Sequence, residues 1–204
     1  MARLTMHERD LRRERILNAA RTCVGRHGLE AVSMEMIIAE SGLSTGGVYR
    51  LFRGKDEIIA AAVTSGTAAA VGAVLPVLDR RPPPPVPVLI GQVLAALPIR
   101  PAVSGRDPHE PGRASIHGWS HAQSDEHLGA EVRSAYLQVR RRFADLGRVW
   151  AAAGDLAVGI DPDAVAELLT SVTLGFVAQL ALVDDADPGR HEQALAALVA
   201  ARNG

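Results

Sequence analysis

An all-α fold in two parts is what this sequence predicts, and three observations predict it. Apolar residues recur at helical spacing along nearly the whole chain, while the strict alternation of a half-buried strand is scarce. Residues 33–58, SMEMIIAESGLSTGGVYRLFRGKDEI, read as two short helices joined by a tight turn and followed by the start of a third. That is the layout of a helix-turn-helix, which places one helix in the major groove of DNA. Further on, RRPPPPVP at 80–87 interrupts the helical pattern, because successive prolines fix φ and lack backbone donors. The expected architecture is a three-helix helix-turn-helix unit over residues 1–55 and a larger helical unit over 56–204.

Each element follows from local signals. In 10–27, Leu11, Ile16, Ala19, Ala20, Cys23 and Val24 fall near one helical face, and Gly28 is the stop. Ser33 is an N-cap for a helix reaching about Glu40. Gly42 ends that helix and makes the turn, and Ser44 caps the next, about 45–51. Gly54 breaks the chain before a longer helix from Lys55 to Leu78. After the proline tract come a short apolar helix, about 87–97, and a Pro- and Gly-rich stretch at 98–112, read as a long loop. Helices over about 113–123, 126–153 and 162–184 follow, and Pro188 opens a last one over about 189–202. There is no internal repeat.

Composition narrows the function classes. Hydrophobic residues make up 48 % of 204, so a sizeable core can form, and the net charge of −1 carries no global nucleic-acid signature. The distribution says more: residues 1–55 hold ten Arg or Lys against six Asp or Glu, although Asp56 and Glu57 follow at once. The lone cysteine, Cys23, permits no intrachain disulfide and reads as a buried inert thiol. Charged residues fill the first fifteen positions, unlike a signal peptide, and no run of about 18 apolar residues is free of polar breaks. A cytoplasmic location is expected. The chain has no Gly-rich phosphate loop, G-x-S-x-G, H-E-x-x-H or carboxylate pair in a suitable context, so neither an enzyme nor a cofactor is expected. His117 and His121 have a metal-compatible spacing, but with no nearby Cys and only Asp125 or His109 as a candidate third ligand no metal is expected.

A recognition helix must be short, exposed and held by a small core. Met36, Ile37, Val48, Phe52 and Ile58 can supply that core, leaving Thr45, Gly46, Gly47, Tyr49 and Arg50 to face outward. Ser33, Tyr49 and Lys55 are phosphate-contacting types, and Ser44 caps the reading helix. Thr45 and Arg50 are the side chains expected to reach base edges. Residues 13–58 resemble the N-terminal domain of the TetR family of transcriptional regulators. The resemblance is carried by RERILNAA (13–20), His27-Gly28, Ser33, GLS (42–44), Gly46, VY (48–49), Phe52 and KDEI (55–58). Two departures matter: Gly47 stands where Thr is common, and Leu51 where Tyr or His is usual. The first removes a hydroxyl near the bases and the second a phosphate contact.

The helix over 162–184 is apolar nearly all round and so must be buried on two sides. One side can pack in its own domain; the other is either more core or a subunit interface. The resemblance implies a homodimer pairing through the last two long helices, with Val172, Gly175, Ala178, Leu182, Leu195 and Leu198 at the interface. It also implies a pocket for a small-molecule effector among the middle helices, for which Trp119, Tyr136, Phe143, Trp150, Phe176 and Gln179 are the candidate lining. The two reading helices of such a dimer would stand about 34–36 Å apart and read a pseudo-palindromic operator on double-stranded DNA. A repressor released by its effector is the leading expectation. The alternative is a dimeric helical ligand- or partner-binding protein with weakened DNA binding.

Overall fold

The computed structural model describes residues 5–99, 107–183 and 186–200. Within them the chain forms α1 (Met6–His27), α2 (Met34–Ser41), α3 (Thr45–Tyr49), α4 (Lys55–Leu78), α5 (Val86–Ala96), α6 (Glu110–Ser124), α7 (Glu126–Ala153), α8 (Pro162–Leu182) and α9 (Pro188–Ala200), with no strand among the described residues. Residues 100–106 of the expected loop, 184 of the expected eighth helix and 201–202 of the last lie outside the described residues.

Three of the helix limits that differ from the sequence expectation do so for a clear local reason. α1 begins at Met6 because Thr5 and Glu8 form a reciprocal capping box: Thr5 Oγ1 accepts from Glu8 N, and Glu8 accepts from Thr5 N at 2.8 Å. Leu11 consequently lies on the solvent side of a longer helix and is exposed. α3 ends at Tyr49 rather than 51, with Leu51 N and Phe52 N both turning back onto Val48 O. α6 begins at Glu110 rather than 113, because Pro111 sits in its first turn, where a missing N–H costs nothing.

Two main cores result. The head core joins α1 to α4 through Ile16, Leu17, Ala20, Ile37, Val48, Phe52, Ile58 and Ile59. Met34 takes one of its buried places, and Met36 packs at its edge. The larger core joins α4, α5, α7 and α8 through Val74, Leu78, Leu89, Ile90, Phe143, Leu146, Trp150, Leu169 and Phe176. α4 is common to both: Ile58, Ile59 and Ala62 lie in the head, and Val74 and Leu78 in the larger core. α4 and α8 are each long and apolar enough to cross a membrane. In this fold α4 packs against α1, α5 and α7, and α8 against α6 and α7.

Candidate nucleic-acid interface

The expected reading helix is the short α3, and its presentation depends on what surrounds it. Val48 is fully buried and Phe52 nearly so, which pins α3 at one point and at the corner that follows it. Arg15 donates from Nη2 to Ser41 O at 2.8 Å, and Ser41 Oγ accepts from Leu43 N at 3.2 Å, so the turn between α2 and α3 is tied to α1. Gly42 sits at φ 61°, in the left-handed region, which is why glycine makes this turn. Ser44 caps α3 by accepting from Gly47 N at 3.2 Å.

Thr45 and Gly46 are exposed, and Tyr49 is 51 % exposed. Among the described residues, no hydrogen bond or ion pair engages the side chains of Thr45, Tyr49 or Lys55. Arg50 is exposed but lies back along α3, with Nε donating to Gly46 O at 3.0 Å. Ser33 is occupied in capping: its Oγ accepts from Met36 N at 3.3 Å. Together with Glu35's own backbone, the Ser33 hydroxyl holds the Glu35 carboxyl below the usual carboxylate range. Lys55 opens α4, whose N-cap Gly54 offers no side-chain partner to the first N–H groups of that helix. Arg13, not singled out by its sequence position, has its guanidinium 5.1 Å from the centroid of the Phe52 ring and exposed beside the α3–α4 corner. A basic residue three places ahead of the first buried position of α1 was the available signal for it.

Gly46 has open space where a Cβ would stand, whereas a Cβ on Gly47 would come 3.1 Å from Ser44 Oγ. Gly46→Ala is therefore expected to stabilise the head by up to about 1 kcal/mol, the usual glycine penalty inside a helix. Ser44→Ala is expected to cost about 1 kcal/mol through loss of the cap. Thermal unfolding of the two variants checks both signs, and equal shifts in the same direction would contradict this account of α3.

The candidate effector residues divide. Trp119 and Tyr136 meet edge to face, ring centroids 6.1 Å apart, and line a cleft of about 900 Å³ between α6, the start of α7 and Leu174 of α8. Burial pushes the Tyr136 phenol up to about 12, so it stays a neutral hydroxyl. Glu126 and Arg133 stand at the rim. Phe143, Trp150 and Phe176 are packed into the larger core instead, and Gln179 is on the surface. Of the candidate interface residues, Leu182 and Leu198 are exposed, Gly175 faces open space, Ala178 is half-buried, and Val172 and Leu195 pack on the larger core. No grouping of three metal-ligating side chains occurs among the described residues; His117 lies with its ring against Gly28.

Known proteins match both halves. The family model for bacterial regulatory proteins of the tetR family matches residues 16–62, and that for the C-terminal part of BetI-type transcriptional repressors matches 106–202. The HTH-type transcriptional regulator YfiR of Bacillus subtilis is 36 % identical over 64 residues, a stretch spanning 31 % of this chain and 31 % of that relative. Solved structures share the fold over nearly the full length. Salmonella enterica GusR aligns with a TM-score of 0.65 at 19 % identity, covering 97 % of this chain and 99 % of its own. A protein of Saccharomonospora viridis in complex with choline aligns at 0.71 and 18 %, covering 93 % and 96 %. The ketosteroid transcriptional regulator KstR2 of Mycobacterium tuberculosis aligns at 0.67 and 17 %, covering 93 % and 94 %. The matched head contains the buried framework that presents α3, and the matched C-terminal part contains the helices that carry the cleft and the exposed leucines. The chain therefore belongs to the TetR family of transcriptional regulators.

Proposed function

We propose that this protein is a ligand-responsive, DNA-binding transcriptional regulator, a repressor that a small molecule releases from a pseudo-palindromic operator. The observation that carries the reading is α3 itself: an exposed helix whose outward side chains Thr45 and Tyr49 have no internal partner, standing on a rigid buried framework. Thr45 and Arg50 would read base edges, Arg50 after leaving Gly46 O. Tyr49, Lys55 and the start of α4 would take phosphates. Ser33 would need to share its hydroxyl between its cap and the backbone of DNA.

A homodimer is supported by the outward side of α8, where Leu168, Ser171, Gly175, Gln179 and Leu182 follow helical spacing and remain uncovered. α9 is adjacent through the Phe176–His191 ring contact. The Trp119–Tyr136 cleft is the proposed effector site. Its aromatic faces and the Glu126 carboxylate suit an organic cation, which makes choline the first compound to test. Because the head reads DNA, the protein would work in the cytoplasm.

The test is fluorescence anisotropy on a duplex from the region upstream of the protein's own gene, with a scrambled duplex as control. Specific binding is expected to weaken linearly in log affinity against log salt. Lys55→Ala is expected to lower that slope by about one while leaving sequence preference intact. Tyr49→Phe should weaken binding without disturbing the fold. Normal binding by both variants would refute these phosphate assignments, and absence of DNA binding at low salt would refute the function.

A further inference from the structure

The first turn of α6 is wedged between the C-terminal ends of two other helices, α1 of the head and α8 of the proposed dimer face. On the head side, Gly25 lies so close that a Cβ there would overlap the Glu110 carbonyl oxygen. Arg113 Nε donates to Gly25 O at 2.7 Å, and Arg26 Nε donates to Glu110 Oε1 at 2.6 Å. Arg26 also reaches Glu40 of α2 at 3.3 Å. On the other side, a Cβ on Gly112 would come 2.7 Å from Ala181 N, and His109 Nδ1 donates to Leu180 O at 2.8 Å.

Gly25 O and Leu180 O both belong to the last turn of their helices, where carbonyls lack intrahelical partners and the helix dipole is negative. Arg113 and His109 supply the missing donors. Glu110 is buried while Arg26 reaches it from the exposed surface, so their pairing is a charge-assisted bond at the edge of the junction. Backbone-to-backbone approaches at two glycines cannot slide without overlap, and the ion pair fixes rotation about them.

We infer that this junction positions the reading head against the dimerisation helix and so sets the half-site spacing that the dimer accepts. The inference rests on the dimeric reading above. Among the described residues the head meets the rest of the protein through the continuous rod of α4 and through α6, by this wedge and by the His117 ring against Gly28; with the wedge loosened, the head is held mainly by α4. Residues of α3 choose bases, but none of them can choose a spacing. Glu110, Arg26, Arg113 and Gly112 are positioning residues that touch no DNA.

The test measures the distance between heads in the full-length protein by pulsed electron paramagnetic resonance, with a spin label on Glu30→Cys, an exposed head position. The parent should give one narrow distance. Glu110→Gln, which keeps the shape of the side chain, and Arg113→Ala, which removes the tie to Gly25 O, should each broaden the distribution while the protein stays dimeric and helical. Either variant should also lose about tenfold of its discrimination between duplexes whose half-sites differ by one or two base pairs in separation. Arg26→Lys should restore part of what Arg26→Ala loses. A folded dimer of both variants with an unchanged, narrow distance overturns the inference. A monomeric parent overturns the dimeric reading first, and the inference with it. Gly112→Ala is a harsher probe of the same wedge, and a narrow distance in its folded dimer also counts against it.

Discussion

Trp150→Ala is expected to cost about 3–5 kcal/mol, the range for deleting a large buried aromatic, and to lower the unfolding midpoint by roughly 10 °C. Trp150 is 1 % exposed and belongs to the same buried cluster as Phe143, Leu146 and Phe176. Its indole also makes a polar contact, since Nε1 donates to Pro84 O at 3.1 Å. The proline tract therefore has a docking point on α7, and it carries the chain from the end of α4 into α5 with a defined path. Trp150→Phe separates the packing from the hydrogen bond. It keeps most of the apolar volume but leaves Pro84 O without its donor, a loss of about 1–2 kcal/mol when the carbonyl stays shielded from water. Circular dichroism melts of both variants check the ordering. Equal destabilisation by Phe and Ala would mean that the hydrogen bond to the tract dominates; no difference between Phe and the parent would mean that the tract is not held by it.

That contact also shows where sequence reading reaches and where it stops. Helix limits are legible where a residue has one local role: Gly28 after α1, Ser33 and Gly42 around α2, and Gly54 before α4. They are misread where one residue type serves two opposite roles. Pro111 marks a loop in one context and a first helical turn in another, and only the packing of α6 against α1 and α8 decides. The reading helix is legible because its cap, its turn glycine and its buried Val48 all lie within a few residues. The cleft is half legible: Trp119 and Tyr136 come together, whereas Phe143, Trp150 and Phe176 share the same aromatic chemistry but go to the core. The junction is not legible at all. Arg26 and Glu110 are 84 positions apart, and Trp150 and Pro84 are 66 apart, so no local pattern connects them.

Leu182→Glu combined with Leu198→Glu is expected to yield a folded monomer that has lost operator binding by about 10²–10⁴-fold, the gain that tethering a second reading head supplies. Leu182 is 76 % exposed and Leu198 70 % exposed, so neither substitution removes a buried contact within the chain, and surface changes of this kind seldom move stability by more than about 0.5 kcal/mol. Between two copies the same leucines would be desolvated, and four carboxylates brought to a two-fold interface would repel while losing their water. α8 argues for this outcome more strongly than α9. Its inner face supplies Ala166, Leu169, Phe176 and Val177 to the larger core, yet its outer face keeps Leu168 at 61 % exposure with Gly175 open beside it. A helix that apolar on its uncovered side is costly to leave in water, and Gly175 would let a second helix approach closely. Light scattering gives the mass, and anisotropy on the operator and on an isolated half-site gives the affinity. The expected pattern is a monomer with a near-normal half-site affinity and little preference for the full operator. A dimer that persists through both substitutions would place the subunit interface on another face of the protein.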